Sequence, residues 1–429
     1  MFLKHKTAPF ATLCALTGTY LLCASLGATA QPTSMETTTQ ASDVVEDDKP
    51  DDVANEIEQI KRKKDGLFKY GPVSLFAEPW EQFKERLFDR YNLDVGLSYK
   101  SVFQQSSNID GSRHASAGDF DFYGKWRLVG DEGRRAGYVG FNFEARHTFG
   151  GQDPAELSDV IGSLWNLAGG VSGGPLTTLA QLWWKQHFWG DKARFTFGKI
   201  DHQNFYSGNQ MASNHSRRFL NEAFSASPVT VFPGNGLGAN FEMNLTEEFR
   251  LSVGFGDANA KRKTSGFKTI DEYEFFVAGE VEWAPHIANV GTGHYRIAIW
   301  HIDERDEAGL PSDQGIAFSM DQNIGNNVVP FLRYAYSEGK VKPTRQSIAT
   351  GFGLKNPLNR KDDLLGFGIA WGRPSDRSLR DQYVTETFYR HQLTNAIEFT
   401  PSLQGILHPS NNPDDNAVVI FNLRFRISL

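Results

Sequence analysis

From about residue 91 to the final residue, apolar and polar positions alternate with a period of two. Neighbouring side chains of an extended strand point to opposite faces, so this alternation sorts each strand into an apolar and a polar face. "LDVGLSYKSVF" groups Leu93, Val95, Leu97 and Tyr99. "FNFEARHTF" sets Phe141, Phe143 and Ala145 against Asn142, Glu144 and Arg146. The closing "NAVVIFNLRFRISL" sets Phe421, Leu423, Phe425, Ile427 and Leu429 against Asn422, Arg424, Arg426 and Ser428. The pattern predicts sixteen strands, over 91–104, 118–129, 137–149, 179–189, 192–200, 236–245, 248–257, 272–284, 293–303, 313–322, 327–338, 346–354, 362–372, 380–393, 396–407 and 417–429. A half-buried strand of a soluble sheet alternates in the same way, so the connections decide.

Connections after even-numbered segments are short, as in "GD" at 190–191, "TE" at 246–247 and "TN" at 394–395. The long ones, 150–178 and 201–235, follow odd-numbered segments. Tight turns at one end and long loops at the other are the asymmetry of outer-membrane barrels, and an even strand number returns the chain to the periplasmic side. The expected fold is all-β, a transmembrane antiparallel β-barrel of about 16 strands over 91–429. A short helical or disordered extension precedes it.

Residues 1–30 read as a signal peptide. Lys4 and Lys6 come first, an apolar run extends to Leu26, and Ala28-Thr29-Ala30 precedes Gln31. Residues 31–65 read as an acidic flexible spacer with room for one short helix in "DDVANEIEQIKRKK", whose acids come first and bases last, as the helix dipole favours. Residues 66–90 hold a better amphipathic candidate, "EPWEQFKERLFDRY". Pro79 would sit in its first turn, with Trp80, Phe83, Leu87 and Phe88 at helical spacing. It suits either a plug or periplasmic cap, or a helix packed on the barrel's lower rim.

Composition changes this picture in three ways. Mean hydropathy is negative, and beyond the leader nothing approaches the roughly 18 continuous apolar residues of a membrane helix. Barrels escape that test because half of each strand faces a polar lumen. Both cysteines, Cys14 and Cys23, lie in the leader, which excludes disulfide frameworks, thiol nucleophiles and thiolate metal sites from the exported chain. Of the formal charge of −7, the spacer with its ten acids and five bases takes the larger part. The rest is nearly balanced, which argues against nucleic acid as a partner.

Hydrocarbon then assigns the faces. Each backbone amide there needs a partner, and a closed barrel supplies all of them. Arg or Lys on the lipid face near the midplane costs about 2–4 kcal/mol. Lys125, Arg127, Glu144, Arg146, Glu386, Arg390, Arg424 and Arg426 are therefore expected in the lumen, with the two terminal arginines meeting water. A barrel of ~16 strands leaves an aqueous channel, so the natural function is passage of a hydrophilic solute. Loop 201–235 either folds inward, bringing Arg217 and Arg218 to a constriction, or stays outside against lipopolysaccharide. Trp183 beside Lys185 is placed to stack on a sugar ring while the cation binds hydroxyls, and Trp184 then faces lipid. His-Glu-x-x-His and Gly-x-Ser-x-Gly are absent and the eleven histidines are scattered, so neither catalysis nor a metal or other cofactor is expected.

The C-terminal third, "VTETFYRHQLTNAIEFTPSLQGILHPSNNPDDNAVVIFNLRFRISL" at 384–429, resembles the carbohydrate-selective porin (OprB) family of Gram-negative outer membranes. It carries that family's Tyr-Arg-x-Gln-Leu-Thr, Thr-Pro-x-Leu-Gln and Asn-Pro sequence before a final strand. "FTFGKID" at 195–201, "FLNEAF" at 219–224, "VGFGDANA" at 253–260 and "RLFDRYNLDVGLSY" at 86–99 are similar to further family segments. The resemblance runs over roughly 80–429 and is patchy in 100–180. It implies a sixteen-stranded barrel, diffusion of sugars, and a pore narrowed by inward loops. It also makes Lys199 and Asp201 lumen-rim candidates through the Gly-Lys-x-Asp match. Two features depart from the family: Leu429 stands where outer-membrane barrels usually end in an aromatic, and the acidic extension is not part of the family core. The expected function is passive diffusion of small hydrophilic solutes, carbohydrates first, with a nonspecific or anion-preferring general porin as the alternative. Expected partners are outer-membrane lipid and lipopolysaccharide, small solutes, the barrel-assembly machinery and a second copy of the chain.

Overall fold

A computed structural model describes residues 53–68, 74–107, 113–131, 135–171 and 174–429. The leader and most of the spacer lie outside the described residues. The barrel strands are β1 (Leu93–Ser106), β2 (His114–Val129), β3 (Gly137–Thr148), β4 (Leu176–Phe188), β5 (Ala193–Ile200), β6 (Gly236–Asn244), β7 (Phe249–Asp257) and β8 (Phe275–Trp283). They continue as β10 (Gly291–Ile302), β11 (Asp313–Gln322), β12 (Val328–Ser337), β13 (Thr344–Lys355), β14 (Leu364–Pro374), β15 (Gln382–Gln392), β16 (Ile397–Leu407) and β17 (Ala417–Ser428). A two-residue β9 (His286–Ile287) decorates the turn before β10. Each predicted segment overlaps one barrel strand, with ends differing by four residues at most.

Every strand pairs antiparallel with its sequence neighbour, and β17 returns to β1 with Ser428 opposite Ser98 and Ile420 opposite Ser106. Leu429 and Leu97 exchange both backbone hydrogen bonds at 2.8 Å. No edge is left open, as a hydrocarbon solvent demands. The faces follow from alternation. Ile297, Ile299, Ile316, Phe352, Phe367, Ile369, Phe421 and Phe425 are exposed on the outside, while Arg296, Asn422, Arg424 and Arg426 are buried on the inside.

The interior is far from empty. The β3–β4 loop carries α3 (Pro154–Ile161), whose start is fixed by a capping box between Asp153 and Glu156. This loop and loop 201–235 fold into the barrel. Their apolar side chains Leu157, Ile161, Trp165, Met211, Phe219 and Phe224 pack on Val329, Phe331, Leu364, Val384, Phe388 and Ile420 of the inner wall. Two wall glycines make the fit: a Cβ at Gly368 would strike the Phe224 ring, and one at Gly372 the Trp165 ring. Fully burying each such side chain favours the folded-in loop by about 1.5–3 kcal/mol.

The end carrying the short turns is closed by the N-terminal segment. Helix α1 (Val53–Lys61) enters the lumen and packs Val53, Ile57 and Ile60 against Tyr123, Tyr138 and Trp183. Beyond it, the amides of Leu67 and Phe68 donate to the carbonyls of Gln392 and Leu393 in the β15–β16 turn. Helix α2 (Ser74–Tyr91) is longer than the motif that predicted it, so Pro79 lies inside it rather than in its first turn. Phe83, Phe88 and Tyr91 of α2 are exposed, and the Trp126 indole donates to the Tyr91 carbonyl at 2.9 Å.

Candidate functional site: a narrowed lumen

Loop 201–235 has few backbone partners of its own, so the wall must supply them. Glu386 accepts from the amides of Leu220 and Asn221 at 2.9 Å each, and Glu280 accepts from Ser207 at 2.5 Å. Arg333 donates to the carbonyls of Ala212, Phe224 and Ala226. Arg424 donates to His215 at 2.7 Å, Arg296 to Gly208 at 3.0 Å and Arg390 to Arg217 at 3.4 Å. These charge-assisted bonds are roughly twice as strong as neutral ones, and they fix the loop across the pore.

A second network joins the loop to α1. Arg217 donates to Gln59 at 2.6 Å and to Glu398 at 2.5 Å. Glu398 also meets Lys64 at 3.6 Å and Arg426 at 3.5 Å, and Arg426 pairs with Glu56. The loop is further held by His202, buried where Gly238 and Gly256 leave room for its ring beside Phe276. Burial pushes the His202 imidazole down to about 4. Next to it, seclusion pushes the Asp201 carboxyl up, opposed by Arg262 at 3.9 Å.

What stays open is a chamber of about 310 Å³ between the loop and the β1–β4 wall. Lys100, Asp119, Asp121, Asn142, Glu144, Arg146 and Gln181 line it from the strands. Asp201, His215, Glu222 and Arg262 line it from the loops, and Val53 and Glu56 of α1 form its floor. Lys100 bridges to Asp119 at 3.1 Å, while Glu144 pairs with Arg146 and, at 3.4 Å, with Arg262. Such pairs present both hydrogen-bond donors and acceptors to the chamber.

The sequence-derived candidates divide between four places. Glu144, Arg146 and Asp201 line the chamber. Glu386, Arg424 and Arg426 of the wall are buried and Arg390 is half-buried, all facing the folded-in segments, on which Arg217 and Arg218 are themselves buried. The expectation that Arg424 and Arg426 meet water is thereby corrected, because wall charges are what satisfy the loop backbone and the Glu56 carboxylate. Lys125, Arg127, Trp183 and Lys185 lie toward the short-turn end. There Lys125 is 3.9 Å from Glu58 and Arg127 donates to Asn92 at 2.6 Å. Trp183 is only 4% exposed, packed against α1 with the Lys185 ammonium 5.0 Å from its ring centre, so it offers no free face to a sugar. Lys199 spends its ammonium on the carbonyls of Arg262 and Thr264 at 2.8 and 2.7 Å. Of the residues not anticipated, Lys100, Asp119 and Asp121 share the inward register of their strands. Asp119 and Asp121 alternate with Lys125 and Arg127, so the same pattern could have found them. Glu56 and Arg262 reach the chamber through tertiary packing and left no such signal.

A model of the carbohydrate-selective porin, OprB family, matches residues 131–429. The chain belongs to the OprB family. Its relatives include porin AaxA of Chlamydia muridarum (strain MoPn / Nigg), 24% identical over 285 residues, 64% of this chain and 61% of that one. Porin AaxA of Chlamydia caviae is 24% identical over 259 residues, 58% of this chain and 56% of that one. The OprB-family chain thus spans less than two thirds of the length of either relative. The high pH structure of Pseudomonas putida OprB superposes with a TM-score of 0.68 at 18% identity, covering 82% of this chain and 97% of that one. It shows that the OprB barrel is shared. The family match begins at residue 131, so β1 and β2, which carry Lys100, Asp119 and Asp121, precede it.

Proposed function

We propose that this porin passes small hydrophilic solutes passively across the outer membrane, with carbohydrates as the preferred class. The reading rests on one observation: the remaining chamber is bounded by paired donors and acceptors that can trade partners with hydroxyl groups. Family membership supports the same class of solute. Selection would come from hydrogen bonding and width rather than from stacking, because Trp183 is covered. Vesicle swelling across a series of sugars, amino acids and polyols tests it. Faster swelling with monosaccharides than with amino acids of equal size supports the carbohydrate reading, and equal rates make the channel nonspecific.

Among rival general porins, the lining favours one that prefers cations over one that prefers anions. Six carboxylates (Glu56, Asp119, Asp121, Glu144, Asp201 and Glu222) face three strong bases (Lys100, Arg146 and Arg262). A surplus of one sign at a narrow passage raises the local concentration of the opposite sign.

A further inference from the structure

The outer surface of β12–β14 carries a feature that solute passage does not use. At the end bearing the long loops, the β12–β13 and β14–β15 connections frame a notch of about 440 Å³. Arg345, Arg373 and Arg377 line it together with Tyr336, Leu379 and Asp381. Alternation places it on the outer surface, and its position along β14 sets it beyond the apolar belt. Phe367, Ile369, Trp371 and Arg373 share the outward face of β14, and the first two are exposed apolar groups of the lipid belt. Arg373 is the last of the four, one step beyond the tryptophan that marks the interface.

The charges in the notch are arranged for an anion. Arg345 lies over the Tyr336 ring at 5.7 Å and donates to its hydroxyl at 3.3 Å. Arg373 lies over the Trp371 ring at 5.1 Å. Both guanidiniums thus sit beside aromatic rings. The two carboxylates present are already engaged. Asp381 accepts from the Trp371 indole at 3.0 Å and faces Arg373 at 3.6 Å, and Asp376 caps Ser378 through its amide and hydroxyl. Arg377 is exposed and makes no hydrogen bond or ion pair among the described residues. Three guanidiniums at headgroup depth beside an apolar belt match a phosphate attached to acyl chains, since planar guanidinium forks suit phosphate oxygens.

We propose that this notch binds the phosphorylated headgroup of an outer-leaflet glycolipid, with Arg345, Arg373 and Arg377 holding the phosphate and the belt holding the acyl chains. The inference rests on the chain being an outer-membrane barrel, and does not depend on which solute it passes. The test is native mass spectrometry of the full-length protein in detergent, titrated with lipid A bearing its phosphates and with the enzymatically dephosphorylated lipid. The wild type should bind the phosphorylated form about tenfold or more tightly, and the R345A/R373A/R377A variant should lose that preference. Single-channel conductance of the same variant should match the wild type, which establishes that the barrel is intact. Equal binding of the two lipids, or an unchanged preference in the variant, overturns the proposal. So does protection from heat by inorganic phosphate alone equal to that by the lipid, or a wild type that self-associates through this notch and binds no lipid. A protein that binds lipid A but conducts nothing would instead sink the channel reading and leave this one standing.

Discussion

Glu398 joins three parts of the chain that are distant in sequence: Lys64 beyond α1, Arg217 on the inward loop and Arg426 on the last strand. Removing one partner of a buried ion network leaves uncompensated charge, at a cost of about 3–5 kcal/mol. Glu398→Gln should therefore lower the temperature at which the barrel loses its heat-resistant band on a gel, and make its conductance noisier. An unchanged transition would mean that these cations are solvated. His202 gives a second test at this scale. With its imidazole held down to about 4 in the fold and near 6.5 when unfolded, the unfolded chain binds more protons between those values. This contribution to stability is complete above pH 6.5, falls as pH drops toward 4, and amounts to about 3 kcal/mol. His202→Leu should flatten the pH dependence of thermal unfolding across that window, and a parallel slope in the variant would refute the assignment. Neither role could be read from the sequence, because both depend on what a loop brings next to a wall. What alternation did give is the inward register of Glu386, Arg424 and Arg426.

At the scale of elements, the strands were legible because hydrocarbon on one side and polar groups on the other impose a strict period of two. The inward segments were less so. The apolar residues of 150–178 and 201–235 follow no regular period, since they fill hollows in a wall rather than cover a flat face. Helix α1 was foreseen only as a short helix in a flexible spacer, being short of apolar groups. Its few apolar residues Val53, Ile57 and Ile60 all pack on the wall, and its polar Glu56 and Gln59 dock as well, through Arg426 and Arg217. This makes α1 the floor of the chamber, in series with the loop. A chain lacking residues 53–68 should still insert, since all sixteen barrel strands remain, and its single-channel conductance should rise by about twofold or more if α1 obstructs the path. Equal conductance in the two proteins would place the current path to one side of the helix.

For the whole molecule, the interior divides into two halves with different duties. The β12–β17 wall receives the loops on apolar groups and on charges spent on the loop backbone, whereas the β1–β4 wall turns its charges to the open chamber. Net charge of the entire chain says little about selectivity, because many of its ionised groups are spent on anchoring loops. The chamber's own surplus of carboxylates is the quantity that an ion in transit feels. In a planar bilayer with a potassium chloride gradient, the reversal potential should accordingly carry the sign of cation preference. It should move toward zero at high ionic strength, where the Debye length shrinks to about 3 Å at 1 M. Asp119→Asn combined with Asp121→Asn removes two of the six carboxylates while leaving Glu398 and the loop anchors untouched, and should shift the potential toward anions. A wild type that prefers chloride, or a double variant with an unchanged potential, would mean that ions cross by a route other than the β1–β4 side.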